Sequence, residues 1–213
     1  MDRMTRRRIG SLGVLLALCA AGQARAAEET PWQVKLTGVS AQSITGGGFN
    51  GSLGYGLGLE YRVNPRVGVA FQVLSTRIDD ETAFDFFGVH LTLRQSIRMT
   101  PVLGRLDFHL TPGHRVDLVV SPVVGFARYG DFELRASGPE GSVPAARVPT
   151  KDRFVWGAHL GFDVPLGERG LLFTAGATYL KAKVEPQGAS ADSGPQGFDL
   201  DPLFLQAGIG YRF

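Results

Sequence analysis

Acid–base or nucleophilic chemistry in this 213-residue chain would have to use its four histidines, His90, His109, His114 and His159, together with nearby hydroxyls and carboxylates. Hydrolysis of an acyl group by a hydroxyl needs a Ser or Thr held against a His that a carboxylate orients. No His stands two residues before a Ser, and only Thr92 and Thr111 hold that position, after His90 and His109. No catalytic residue is assigned, and the chain is not read as an enzyme. The carboxylate clusters Asp79-Asp80-Glu81 and Asp199/Asp201 lack the spacing of a calcium loop, so no metal site is assigned. Gly46-Gly47-Gly48 lacks the Lys of a phosphate loop, and no cofactor is expected. The single Cys, Cys19, excludes a disulfide framework or a thiolate cluster. No basic stripe interleaved with aromatics is present, which excludes nucleic acid as a partner.

The remaining charged residues carry more information through their placement. Glu60, Arg62, Arg105, Asp107, His109, Asp117, His159, Asp163 and Arg212 all fall on one side of a two-residue alternation. Tyr55, Leu57, Leu59, Tyr61 and Val63, for example, alternate with Gly54, Gly56, Gly58, Glu60 and Arg62. A period of two is that of a strand with one apolar face. The rhythm recurs over 32–37, 66–73, 103–110, 116–121, 154–163, 173–179 and 203–213, giving eight strands. Between them, short breaks at Asn64-Pro65, at Thr111-Pro112-Gly113 and from Pro165 to Gly170 alternate with long polar stretches at 41–52, 79–88, 130–152 and 186–201.

The polar faces decide which way such strands curl. On a solvated outer surface the charges would be tolerated, but the many interleaved glycines would only weaken the strands. Inside a narrow barrel, small residues make room for long charged neighbours. Trp32, Tyr55, Tyr61, Tyr179, Tyr211 and Phe213 stand near strand ends, as interfacial aromatics do. The fold class expected is therefore all-β, an eight-stranded antiparallel up-and-down transmembrane β-barrel. Its short turns lie on the periplasmic side with both termini, and its long loops lie outside.

The first 26 residues support that destination. Arg3, Arg6, Arg7 and Arg8 precede an apolar run from Leu12 to Ala21, followed by Ala24-Arg25-Ala26. Basic, apolar and small-residue segments in this order form an export signal, expected to be cleaved after Ala26 and to leave a barrel domain over 27–213. Residues 1–26 carry a net charge of +4, so the overall +2 becomes −2 in the mature chain.

The C-terminal run Gly208-Ile209-Gly210-Tyr211-Arg212-Phe213, preceded by Asp201-Pro202, resembles the closing strand of the OmpW-like outer-membrane proteins. Pro122-Val123-Val124-Gly125, Gly161-Phe162-Asp163 and the stretch from Leu106 to Pro112 are similar to internal motifs of that family. Val123 and Val164 stand where the family usually has Tyr, and Ala127 where it has Gly. The resemblance implies a cell outer-membrane barrel that passes small hydrophobic molecules, releasing them sideways into the membrane. Tyr211 and Phe213 resemble the signal read by the barrel-assembly machinery, which is expected as a partner during biogenesis alongside outer-membrane lipids.

An eight-stranded barrel is just wide enough for its side chains to fill. The nine polar residues above are therefore expected to pair into a plug lining the lumen, because an unpaired buried charge costs several kcal/mol. A hydrophobic ligand would be admitted by Leu74 and Phe204, inward at the loop end, together with Phe84, Phe86 and Phe87 of the second long loop. The alternative is a closed structural or interaction barrel whose loops meet other molecules.

Overall fold

The computed structural model describes residues 31–44, 50–86, 89–138, 141–142, 146–167, 170–185, 187 and 197–213. The expected export signal, Gly46-Gly47-Gly48 and Phe87 lie outside the described residues. Eight strands carry the fold: β1 (Trp32–Ser43), β2 (Gly54–Asn64), β3 (Val67–Phe86), β4 (Val89–His109), β5 (Asp117–Tyr129), β6 (Arg153–Pro165), β7 (Leu171–Lys181) and β8 (Pro202–Arg212). Each pairs antiparallel with its chain neighbours. β1 then meets β8 from Gln33↔Arg212 to Ser43↔Pro202 and closes the barrel. Closure pairs both edges that an open sheet would leave free.

The alternation sorts side chains between the two faces of the wall. Leu36, Leu57, Phe71, Leu160 and Ile209 point out and are each more than half exposed. In water such a belt would be costly, at about 25 cal/mol for each Å² of apolar surface, whereas lipid accommodates it. Trp32 packs on Tyr61 with ring centroids 4.8 Å apart, and Tyr211 stacks with Phe213 at 6.3 Å, so aromatics collect at the end that holds both termini. We call this end the base.

Turns at the base are closed by local chemistry. The Asn64 Oδ1 accepts from the Arg66 amide at 2.8 Å. Thr111 donates its hydroxyl to the Val116 carbonyl and accepts from the Leu118 amide. Gly167 and Gly170 take φ of 82° and 76° between β6 and β7, a region glycine occupies without strain.

The opposite end departs from the sequence reading. Residues 79–88, expected as a loop, are mostly ladder: β3 and β4 stay paired from Thr76↔Met99 to Phe86↔Val89. Asn50–Gly51 joins β3, and Phe132–Gly138, inside the stretch expected as the third loop, joins β4. Ala146–Val148 adds to that strand in turn. The reason is visible in the residues, because the alternation continues past the belt, with Thr76 and Ile78 buried and Arg77 exposed.

A candidate lumenal site

The lumen has two halves of opposite chemistry. In the basal half the charges interlock. Lys35 places Nζ 3.0 Å from Asp163 Oδ2 and 3.1 Å from Glu60 Oε2. His109 stands between two carboxylates, Nε2 2.9 Å from Glu60 Oε1 and Nδ1 2.8 Å from Asp117 Oδ2. Ionised carboxylates only accept, so a proton on each ring nitrogen satisfies both contacts. Arg62 donates to Asp117 at 3.0 Å and lies 3.3 Å from Glu60. Arg105 donates to Asp107 at 2.9 Å and to Gln72 at 3.1 Å, while Ser121 donates to the other Asp107 oxygen at 2.6 Å. Arg212 reaches Gln33, whose amide donates to Asp163.

Local sequence makes this packing possible. Glu60 and Arg62 are successive inward residues of β2, and Arg105, Asp107 and His109 are successive inward residues of β4. The strand between them contributes only Gly68 and Ala70 at those levels. A Cβ on Gly68 would stand 2.9 Å from Glu60 Oε1. The small residues thus leave volume for charges arriving from both sides.

All nine sequence-predicted polar residues face the lumen, but His159 does so differently from expectation. Placed by the sequence reading among carboxylates, it instead meets the Thr178 hydroxyl at 2.8 Å, with Gln206 beside it. Its ring covers two glycines, and a Cβ on Gly161 would lie 2.6 Å from Nε2. Gln206 also donates to Thr178 and accepts from Gln72 at 2.6 Å, so a neutral amide and hydroxyl layer spans the middle of the lumen. Among the described residues no carboxylate bonds this ring, the orienting contact that a hydrolytic triad uses.

Above that layer the lumen is apolar. Leu74 and Phe204 point inward with no exposed surface and pack with Ile78, Ile97, Met99 and Leu103. Instead of an open funnel, loop residues roof them: Val184 and Leu200 join the cluster, and Phe132 packs on Phe198 with centroids 6.0 Å apart. Asp201 secures the roof from a left-handed backbone, φ 36°, by accepting from the Ala182 amide and from Lys181. The backbone of Phe84 and Phe86 belongs to β3, while their side chains, and Phe87 altogether, lie outside the described residues.

The sequence reading missed Lys35, Gln33, Gln72 and Gln206 as network members. Of the apolar half it placed only Leu74 and Phe204 inward and missed the rest, although Leu103, Val123, Val155 and Leu180 share the inward parity of the charges. On the outer wall, Gly38, Ser40, Ala175, Ala177 and Ala207 make a shallow hollow of about 600 Å³ walled by Leu160 and Leu205.

Residues 11–213 match the outer membrane protein beta-barrel domain family. The chain belongs to that family. Its place is accordingly the outer membrane, crossed by strands; among the described residues no helix is long and apolar enough to cross a membrane. OprG of Pseudomonas aeruginosa is similar in fold, with a TM-score of 0.57 and 16% identity over 87% of this chain and 97% of that one. A major outer membrane protein of Thermus thermophilus follows at 0.50 and 12%, over 85% and 99%. At these identities the likeness is one of fold alone. No curated protein sequence matches the chain.

Proposed function

We propose that this barrel admits small hydrophobic molecules at its loop end and releases them sideways into the membrane, as the OmpW-like resemblance implies, without conducting solutes along its axis. The observation that carries this reading is the division of the lumen. Its basal half is filled by mutually paired charges, and the half beneath the loops is lined by apolar side chains around Leu74 and Phe204. A polar solute would lose hydration in the upper half with nothing to replace it, whereas an apolar one gains about 25 cal/mol per Å² buried. The wall hollow over Ala175, Ala177 and Ala207 sits at the level where the halves meet and supplies a thin, apolar place for exit. In this reading the base faces the periplasm, and Tyr211 and Phe213, each about half exposed on the closing strand, are what the assembly machinery reads.

A second reading, a closed structural barrel, draws on the roof and on the full burial of Leu74 and Phe204. Vesicle assays separate the two. Wild-type protein should raise uptake of an alkane-like fluorescent probe and leave conductance for small ions at the background level. Phe204→Arg, checked for folding by its far-ultraviolet circular dichroism, should abolish the uptake. If wild type gives no uptake above protein-free vesicles, the transport reading fails and the closed barrel stands.

A further inference from the structure

A single polar group interrupts the apolar half of the lumen. Among the described residues buried in that cluster, Tyr129 is the only one with a side-chain oxygen or nitrogen. It is the last residue of β5, has the inward parity and is 9% exposed. Its hydroxyl has no hydrogen-bond partner among the described residues. The ladder fixes its level, because Tyr129 lies opposite Met99 and Met99 opposite Thr76, one inward step loopward of Leu74. Val184 and Leu200 of the roof belong to the same cluster, so the hydroxyl stands where wall and roof meet.

A buried tyrosine hydroxyl ordinarily finds a partner, and one that bonds nothing gives up its hydration without return. Phenylalanine would fill the same space, which makes the oxygen the feature to explain. The other unpartnered buried atoms among the described residues belong to charged side chains that are bonded or ion-paired through another atom. The charges that act on the Tyr129 hydroxyl are those of Asp152 and Asp201, both negative. Asp201 is already held by the Ala182 amide and Lys181, and Asp152 accepts from the Tyr129 amide. Such a field repels an anion and tolerates a neutral group.

We propose that Tyr129 is the polar anchor of the ligand chamber. Its ligands are apolar molecules carrying one uncharged oxygen, such as a long-chain alcohol or ketone, bonded to the Tyr129 hydroxyl with the hydrocarbon part lying toward Leu74 and Phe204. This rests on the transport reading above and narrows its substrate class, since an alkane offers the hydroxyl no partner and a fatty-acid anion meets the carboxylate field.

The test measures binding of tritiated decan-1-ol, decane and decanoate to the full chain held in an amphipathic polymer at mildly alkaline pH, each referred to its partition into protein-free polymer. Wild type should bind decan-1-ol about tenfold tighter than decane, the size of one buried hydrogen bond, and should bind decanoate more weakly than decan-1-ol. Tyr129→Phe should lose that preference and leave the decane affinity unchanged. Without ligand, its urea midpoint should equal or exceed that of wild type, because the oxygen removed bonds nothing. Decan-1-ol bound no tighter than decane, a preference that survives in Tyr129→Phe, decanoate bound as tightly as decan-1-ol, or a lowered midpoint would each overturn the anchor and leave the apolar chamber standing. If wild type binds none of the three probes, the chamber falls and the transport reading falls with it.

Discussion

Lys35 shows how much one residue decides inside so narrow a lumen. Its ammonium touches Asp163 and Glu60, and among the described residues Asp163 has no other cation in contact, only the Gln33 amide. Removing one partner of a buried pair leaves the other charge desolvated, at about 3–5 kcal/mol. Lys35→Met should therefore lower the urea midpoint of vesicle-embedded protein markedly, and adding Asp163→Asn to it should recover most of the loss. Arg147→Ala, at a guanidinium 68% exposed beside Glu133, should change that midpoint little, since exposed pairs contribute less than about 1 kcal/mol. A single variant that costs nothing at position 35 would contradict the plug. The sequence displayed Lys35 at an inward position between Gln33 and Thr37, yet its importance was hidden. Its partners sit on β2 and β6, and only the register of the closed barrel brings those three strands to one level.

At the scale of elements, period-two alternation was enough to read the eight strands and the face each presents, because a strand buried on one side must repeat at that interval. It failed where pairing outran the belt. The arms of β3 and β4 beyond Thr76 and Met99 are rich in Asp, Glu, Thr and Arg, which resembles loop composition, although Ile78 and Ile97 keep the inward parity. The apolar layer of the lumen was legible only at Leu74 and Phe204 for a related reason: an apolar inward position in an otherwise apolar-outward strand looks like noise until its neighbours across the ladder are known. The glycines can be tested strand by strand. At Gly176 a Cβ would meet the Leu160 carbonyl at 2.8 Å and the Gly161 Cα at 3.0 Å, backbone atoms that cannot move aside. Gly176→Ala should destabilise by about 1–3 kcal/mol, as overpacking does. Gly104 faces outward, with 3.8 Å to its nearest neighbour. Gly104→Ala should be neutral or slightly stabilising, since glycine weakens a strand interior by roughly 0.5–1 kcal/mol. Paired urea titrations check both, and equal effects would refute the distinction between the two faces.

For the whole molecule, the asymmetry of the two ends is the property that function must exploit. The base is cut short by three tight turns and sealed by paired charge, whereas the far end extends β3, β4 and a further strand beyond the lipid belt under a roof held by Asp201. Outer-membrane barrels keep short turns on the periplasmic side and longer loops outside, so the barrel should sit with the extended end outside. Single cysteines test this, since Cys19, the chain's one cysteine, lies in the expected export signal. Ser142→Cys lies in the outer extension, and Arg115→Cys in the exposed turn between β4 and β5. A maleimide too large to cross the outer membrane should label position 142 in intact cells and position 115 only after permeabilisation, with wild-type protein unlabelled throughout. Labelling of position 115 alone in intact cells would invert the molecule. The proposed path from loops to membrane would then begin on the wrong side.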